Sequence, residues 1–178
     1  MVIIVVDNGR GNDVSKFLRL PNKVVAPNNA MKEKANGYIF SDGNPKNLEA
    51  NINILKKSSV PVLGIATGCL FVGAAFGGEV SKLKRFEKQE SVSVKKPCPL
   101  TLDMKRTFAV AKSCEYGMNS LPENFDVIAS SRNYEYEIIL DRENPFFGVQ
   151  FNPELGMDGR KILDNFERFV EVWEKYHK

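Results

Sequence analysis

Val60-Pro-Val-Leu-Gly-Ile-Ala-Thr-Gly-Cys-Leu-Phe-Val-Gly-Ala-Ala-Phe-Gly-Gly-Glu-Val80 is the stretch that decides the fold of this chain. Its first part, Val60 to Ile65, is a short apolar run of the kind that forms a buried parallel strand. Its second part carries Gly68, Gly73, Ala74 and Ala75, side chains small enough to let a helix pack closely on a sheet. Together they have the frame of a nucleophile elbow, a sharp strand-to-helix turn that projects one residue from the carboxyl edge of the sheet. A helix dipole and free N–H groups at that point would stabilise a thiolate or an oxyanion. The residue there is Ala66, whose methyl group cannot attack anything.

Further along, Phe147-Gly-Val-Gln-Phe-Asn-Pro-Glu154 supplies a second motif. The two segments resemble those of class I glutamine amidotransferases, particularly the stand-alone glutaminase subunit of archaeal-type GMP synthase. There the elbow reads Gly-Ile-Cys-x-Gly-x-Gln and the later motif reads Gly-Val-Gln-Phe-His-Pro-Glu. In that family the cysteine attacks the side-chain amide of glutamine, the histidine is general base and general acid, and the glutamate orients it. The resemblance puts Ala66, Asn152 and Glu154 at the three triad positions, and only the glutamate is kept. Asparagine donates and accepts hydrogen bonds but does not shuttle a proton near neutral pH. Pro122-Glu-Asn-Phe-Asp-Val-Ile-Ala129 resembles a further shared segment, so the likeness spans nearly the whole chain.

Other positions depart from the family as well. Leu70 stands where the family has the glutamine after the elbow, and Ser113-Cys114 aligns with a Ser-His pair that contacts the amino-acid end of the substrate. Ser41-Asp42-Gly43-Asn44-Pro45 resembles the Ser-Gly-Gly-Pro oxyanion loop, with Asp42 in place of a glycine. A carboxylate beside an oxyanion hole opposes developing negative charge. The pocket implied by the resemblance is therefore built from Asp42, Gly43, Gly68, Leu70, Ser113 and Cys114.

The residue census points the same way. The chain has one histidine, His177, at the penultimate position, where helix ends fray. Cys69, Cys98 and Cys114 fit no zinc spacing, and an odd number makes a poor disulfide framework, so neither a metal nor a cofactor is expected. A reducing cytoplasm is the default for such a chain. A relocated thiol, Cys69 or Cys114, acting with Glu154 or Asp42, is the enzyme alternative, though a neighbouring carboxylate raises a thiol's pKa. Buried small residues are the commoner fate of free cysteines, and Glu154, with no histidine to orient, reads as a cap or brace for the loop after the last strand.

With 25 basic against 22 acidic residues the net charge is only +3, which does not indicate nucleic acid binding. Lys82, Lys84, Arg85, Lys88, Lys95 and Lys96 form a basic stretch that reads as a solvated face. No apolar run is long enough to span a bilayer, and Met1-Val-Ile-Ile-Val-Val-Asp7 reads as a first buried strand rather than a signal peptide.

Alternating strands and helices predict an α/β fold: an open, mostly parallel, flavodoxin-like sheet flanked by helices, with added antiparallel strands, in one domain over residues 1–178. Strands are predicted at Val2 to Val6, Lys23 to Ala26, Gly37 to Phe40, Thr107 to Ala111, Val127 to Ala129, Glu135 to Leu140 and Phe147 to Phe151. A short helix is predicted at Gly11 to Arg19, a second at Asn47 to Lys57 with Leu48, Ile52 and Leu55 inward, and a terminal one at Gly159 to Tyr176. The last has Ile162, Phe166, Phe169, Val170 and Trp173 at core spacing. Val80 to Val94 reads as an antiparallel hairpin. The function expected from these features is that of a catalytically inactive homologue. It would dock on a synthetase, such as an ATP-pyrophosphatase-type subunit, in a regulatory or scaffolding role; a small-molecule binding module is a further alternative.

Overall fold

The computed structural model describes residues 1–177. In chain order its strands are β1 (Ile3–Val6), β2 (Asn22–Val25), β3 (Gly37–Phe40), β4 (Val62–Ile65), β5 (Glu79–Lys82) and β6 (Gln89–Val94), then β7 (Thr107–Ala111), β8 (Tyr116–Ser120), β9 (Phe125–Ser131), β10 (Ile138–Asp141) and β11 (Phe146–Val149). Its α-helices are α1 (Gly11–Ser15), α2 (Leu48–Lys57), α3 (Thr67–Ala74) and α4 (Lys161–Tyr176). Nine strands form one sheet in the order β2-β1-β3-β4-β11-β10-β9-β6-β7. The first five in that order run parallel, and the remaining pairings are antiparallel. The architecture is thus the open α/β sheet with antiparallel additions that the sequence predicts.

Strands β1, β3, β4 and β11 are buried at every residue, as strands covered on both faces must be. Alternate side chains feed two cores. Ile3, Val5, Ile39, Leu63, Ile65 and Phe147 pack with Ile162, Phe166 and Val170 of α4 on one face. Ile4, Val6, Phe40 and Val62 pack with Ile54 and Leu55 of α2 and with Val72 of α3 on the other. No helix among the described residues is long and apolar enough to cross a membrane.

Several local expectations need correction. The buried face of α2 is Asn51, Ile54 and Leu55, whereas Leu48 is exposed and Ile52 only half-buried; the inward face is rotated round the helix from the predicted one, with Asn51 held inside by a polar network. The predicted hairpin does not form: β5 pairs with β8 in a separate two-stranded sheet, while β6 pairs with β7 and β9. The first helix ends at Ser15, and α4 begins at Lys161 after a tight turn at Asp158–Arg160. Phe169 and Trp173 are half-buried, and the Trp173 ring is stacked on His177 at 3.7 Å.

Candidate functional site

β4 ends at Ile65 and α3 begins at Thr67, so a single residue makes the turn. Ala66 makes it at φ 50° and ψ −108°. That conformation is rare for an L-residue and costs on the order of 1–3 kcal/mol. The Ala66 N–H donates to the Val149 carbonyl at 2.8 Å, which ties the elbow to the end of β11. Gly68 lets the helix lie tight against β3: a Cβ there would sit 2.3 Å from the Phe40 carbonyl oxygen.

The loop after β3 is clamped against the loop after β1. Asn8 N–H donates to Ser41 Oγ at 2.9 Å, Asn44 N–H donates to the Asn8 carbonyl at 2.7 Å, and the buried side chains of Asn8 and Asn51 exchange amide hydrogen bonds at 2.8 and 3.1 Å. Gly43 has φ +152°, and a Cβ there would fall 1.8 Å from the Asn8 carbonyl oxygen, so no other residue fits. The clamp aims the Asp42 carboxylate at the elbow.

Asp42 Oδ1 accepts from the Gly43 N–H at 2.9 Å, the Thr67 N–H at 3.2 Å and the Thr67 hydroxyl at 2.7 Å. Oδ2 accepts from the Ser113 hydroxyl at 2.6 Å and from Asn152 Nδ2 at 3.0 Å. Burial works to raise the carboxyl's pKa, but donation from Ser113, Thr67 and Asn152 more than offsets it and holds Asp42 below its ordinary range.

Asn152 completes the network from the segment after β11. Its Nδ2 also donates to Glu154 Oε1 at 2.9 Å, and its Oδ1 accepts from the Ser113 N–H at 2.9 Å. The amide thus lies between two carboxylates, one on each side. Glu154 is buried, with Oε2 lacking a hydrogen-bond partner. Burial pushes its pKa up, against the Asn152 hydrogen bond and together with the negative charge of Asp42.

Asp42, Gly43, Leu70, Ser113 and Cys114 all line one cleft of about 430 Å³, which Val80 and Tyr116 also line. Ala66 and Gly68 lie beneath it rather than on its wall. Cys69 is fully buried, and burial drives its thiol far above the ordinary range. Burial also raises the Cys114 thiol, with a further rise from the charge of Asp42; its sulfur is 3.9 Å from the Thr67 hydroxyl.

Two features are not evident from the sequence. Thr67 holds Asp42 with both its backbone and its hydroxyl, and the only hint is its place directly after the elbow. Lys112 is buried beside Glu137 at 2.6 Å and Glu90 at 3.7 Å, where a lysine at a strand end reads from sequence as solvated.

Known proteins share this arrangement of strands and helices. The family model described as glutamine amidotransferase class-I matches residues 13–169. The glutamine-hydrolysing GMP synthase subunit of Methanococcus maripaludis is 31% identical over 179 aligned positions, covering 93% of this chain and 95% of that one. Its counterpart from Methanococcus aeolicus is 28% identical with the same coverage. A crystal structure from Thermoplasma acidophilum, of a chain provisionally described as a GMP synthase subunit, superposes with a TM-score of 0.90 at 24% identity, covering 99% of this chain and 96% of the other. A glutamine amidotransferase from Thermotoga maritima gives a TM-score of 0.68 at 16% identity, covering 99% and 83%.

Proposed function

Since the chain belongs to the class I glutamine amidotransferase family, we propose that it is a member that does not hydrolyse glutamine and instead serves as a cytoplasmic docking or regulatory subunit for a synthetase. One observation carries this reading: at the carboxyl ends of two adjacent parallel strands, a strained elbow bears a methyl group, and the neighbouring segment carries an amide locked between two carboxylates. An amide whose N–H groups and oxygen are all engaged has no means of taking a proton from a nucleophile. Both candidate replacement thiols have raised pKa values, which keeps them protonated and poorly nucleophilic. The fold that would present a docking face is intact, and the two Methanococcus relatives named above are GMP synthase subunits.

The test is glutamate release from glutamine by the purified protein, by itself and mixed with an ATP-pyrophosphatase-type synthetase, alongside co-purification of the two. Stable association without glutamate above background is the expected result. Turnover that disappears in Cys114→Ser or Cys69→Ser would instead establish a relocated thiol. Absence of association would shift the role to ligand binding in the cleft between Leu70, Val80 and Tyr116.

A further inference from the structure

Elbow folds stabilise an oxyanion with two backbone donors: the N–H of the residue after the nucleophile and an N–H from a neighbouring loop. Here those positions are Thr67, directly after Ala66, and Gly43, in the clamped loop after β3. Both N–H groups converge on one atom, Asp42 Oδ1, at 3.2 and 2.9 Å. Both are within the ordinary range of N–H···O hydrogen bonds.

We infer that Asp42 is an internal carboxylate occupant of the oxyanion hole, so that the hole is a functional anion site filled by the chain's own side chain. This does not rest on the absence of turnover, since it concerns two donors and their acceptor and would hold whatever the chain catalyses. The carboxylate is well held from the other side too, because Oδ2 takes the Ser113 hydroxyl and Asn152 Nδ2. A substrate carbonyl arriving at the elbow therefore finds no free backbone donor. The methyl of Ala66 and the carboxylate of Asp42 are complementary, since a thiolate in place of that methyl would lie against a fixed negative charge.

The inference is tested by following the backbone amide resonances of Gly43 and Thr67. In Asp42→Ala the hole is emptied, and added acetate should shift both amides saturably while leaving them unmoved in the wild type. Asp42→Asn, whose amide oxygen still fills the space, should resemble the wild type. If acetate leaves both amides unmoved in Asp42→Ala, or moves them equally in the wild type, the hole is not an anion site occupied by Asp42. Should Asp42→Ala fail to fold, the wild type decides alone: the two amides must titrate together with the Asp42 carboxyl, below the ordinary carboxylate range. Glu154, Cys114 and Arg10 are the other ionisable groups whose charges act here, and Glu154, being raised, titrates in a separate and higher window. Amides that follow Glu154 instead, or that do not titrate, would overturn the assignment.

Discussion

Ala66 keeps a backbone conformation suited to presenting a reactive side chain while presenting only a methyl group. Replacing a buried alanine in an extended strand, such as Ala129, with glycine loses a methyl and adds backbone freedom to the unfolded chain, together about 1.5 kcal/mol. At Ala66 the same losses are offset by relief of about 1–3 kcal/mol of backbone strain. Ala66→Gly should therefore leave stability within about 1 kcal/mol of the wild type, while Ala129→Gly lowers it, as read by paired urea denaturation curves. Equal losses at both sites would mean that the elbow is unstrained. The positions of Ala66 and Asn152 were legible in the sequence because motif frames fix them. What Asp42 does was not, since its partners Thr67 and Asn152 lie 25 and 110 residues away in the chain and nothing local encodes their convergence.

Among the elements, the antiparallel part of the sheet holds a buried charge cluster: Lys112 follows β7, Glu137 precedes β10 and Glu90 lies in β6. Burial raises the Glu137 carboxyl to about 7, with Lys112 pulling the other way. A carboxyl raised on folding stabilises the fold at pH values below its unfolded pKa, and that contribution is lost as the pH rises through about 7. Lys112→Met removes the balancing cation, so the loss should be largest above pH 7, about 3–5 kcal/mol, and shrink toward pH 5 as Glu137 takes up a proton. Thermal unfolding of both proteins at pH 5 and pH 8 checks this, and a pH-independent difference would contradict it. The inner parallel strands β1, β3, β4 and β11 were readable because each is a short run of apolar residues and glycine. β8 was not, since Tyr116-Gly-Met-Asn-Ser120 shows no clear alternation and contains residues poor in strand propensity, and its pairing with β5 is a tertiary choice.

On the scale of the whole molecule, the site is assembled from four distant segments around residues 42, 66, 113 and 152, so the proposed reading predicts that single substitutions will not install glutamine turnover. Ala66→Cys with Asn152→His should remain near background, because an imidazole placed between Asp42 and Glu154 would be held protonated, and the oxyanion hole would stay filled. Adding Asp42→Gly should raise glutamine turnover by at least ~10²-fold over the double variant, about the contribution of one oxyanion donor. Leu70→Gln and Cys114→His would then act mainly on KM. Steady-state kinetics of the series separates these effects, and full activity in the double variant would show that the filled hole is no obstacle.

The sheet order also has a consequence in time. β11, the last in chain order of the strands in this sheet among the described residues, lies at the centre of the sheet between β4 and β10. A chain emerging from the ribosome has, until residue 149 is free, two part-sheets with raw edges at β4 and β10 and no strand to join them. The elbow itself stays unfastened, because its anchoring acceptor is the Val149 carbonyl. Such unpaired apolar edges are the surfaces at which nascent chains pair wrongly with one another, so the interval before the final strand threads home is when this protein is most exposed to aggregation.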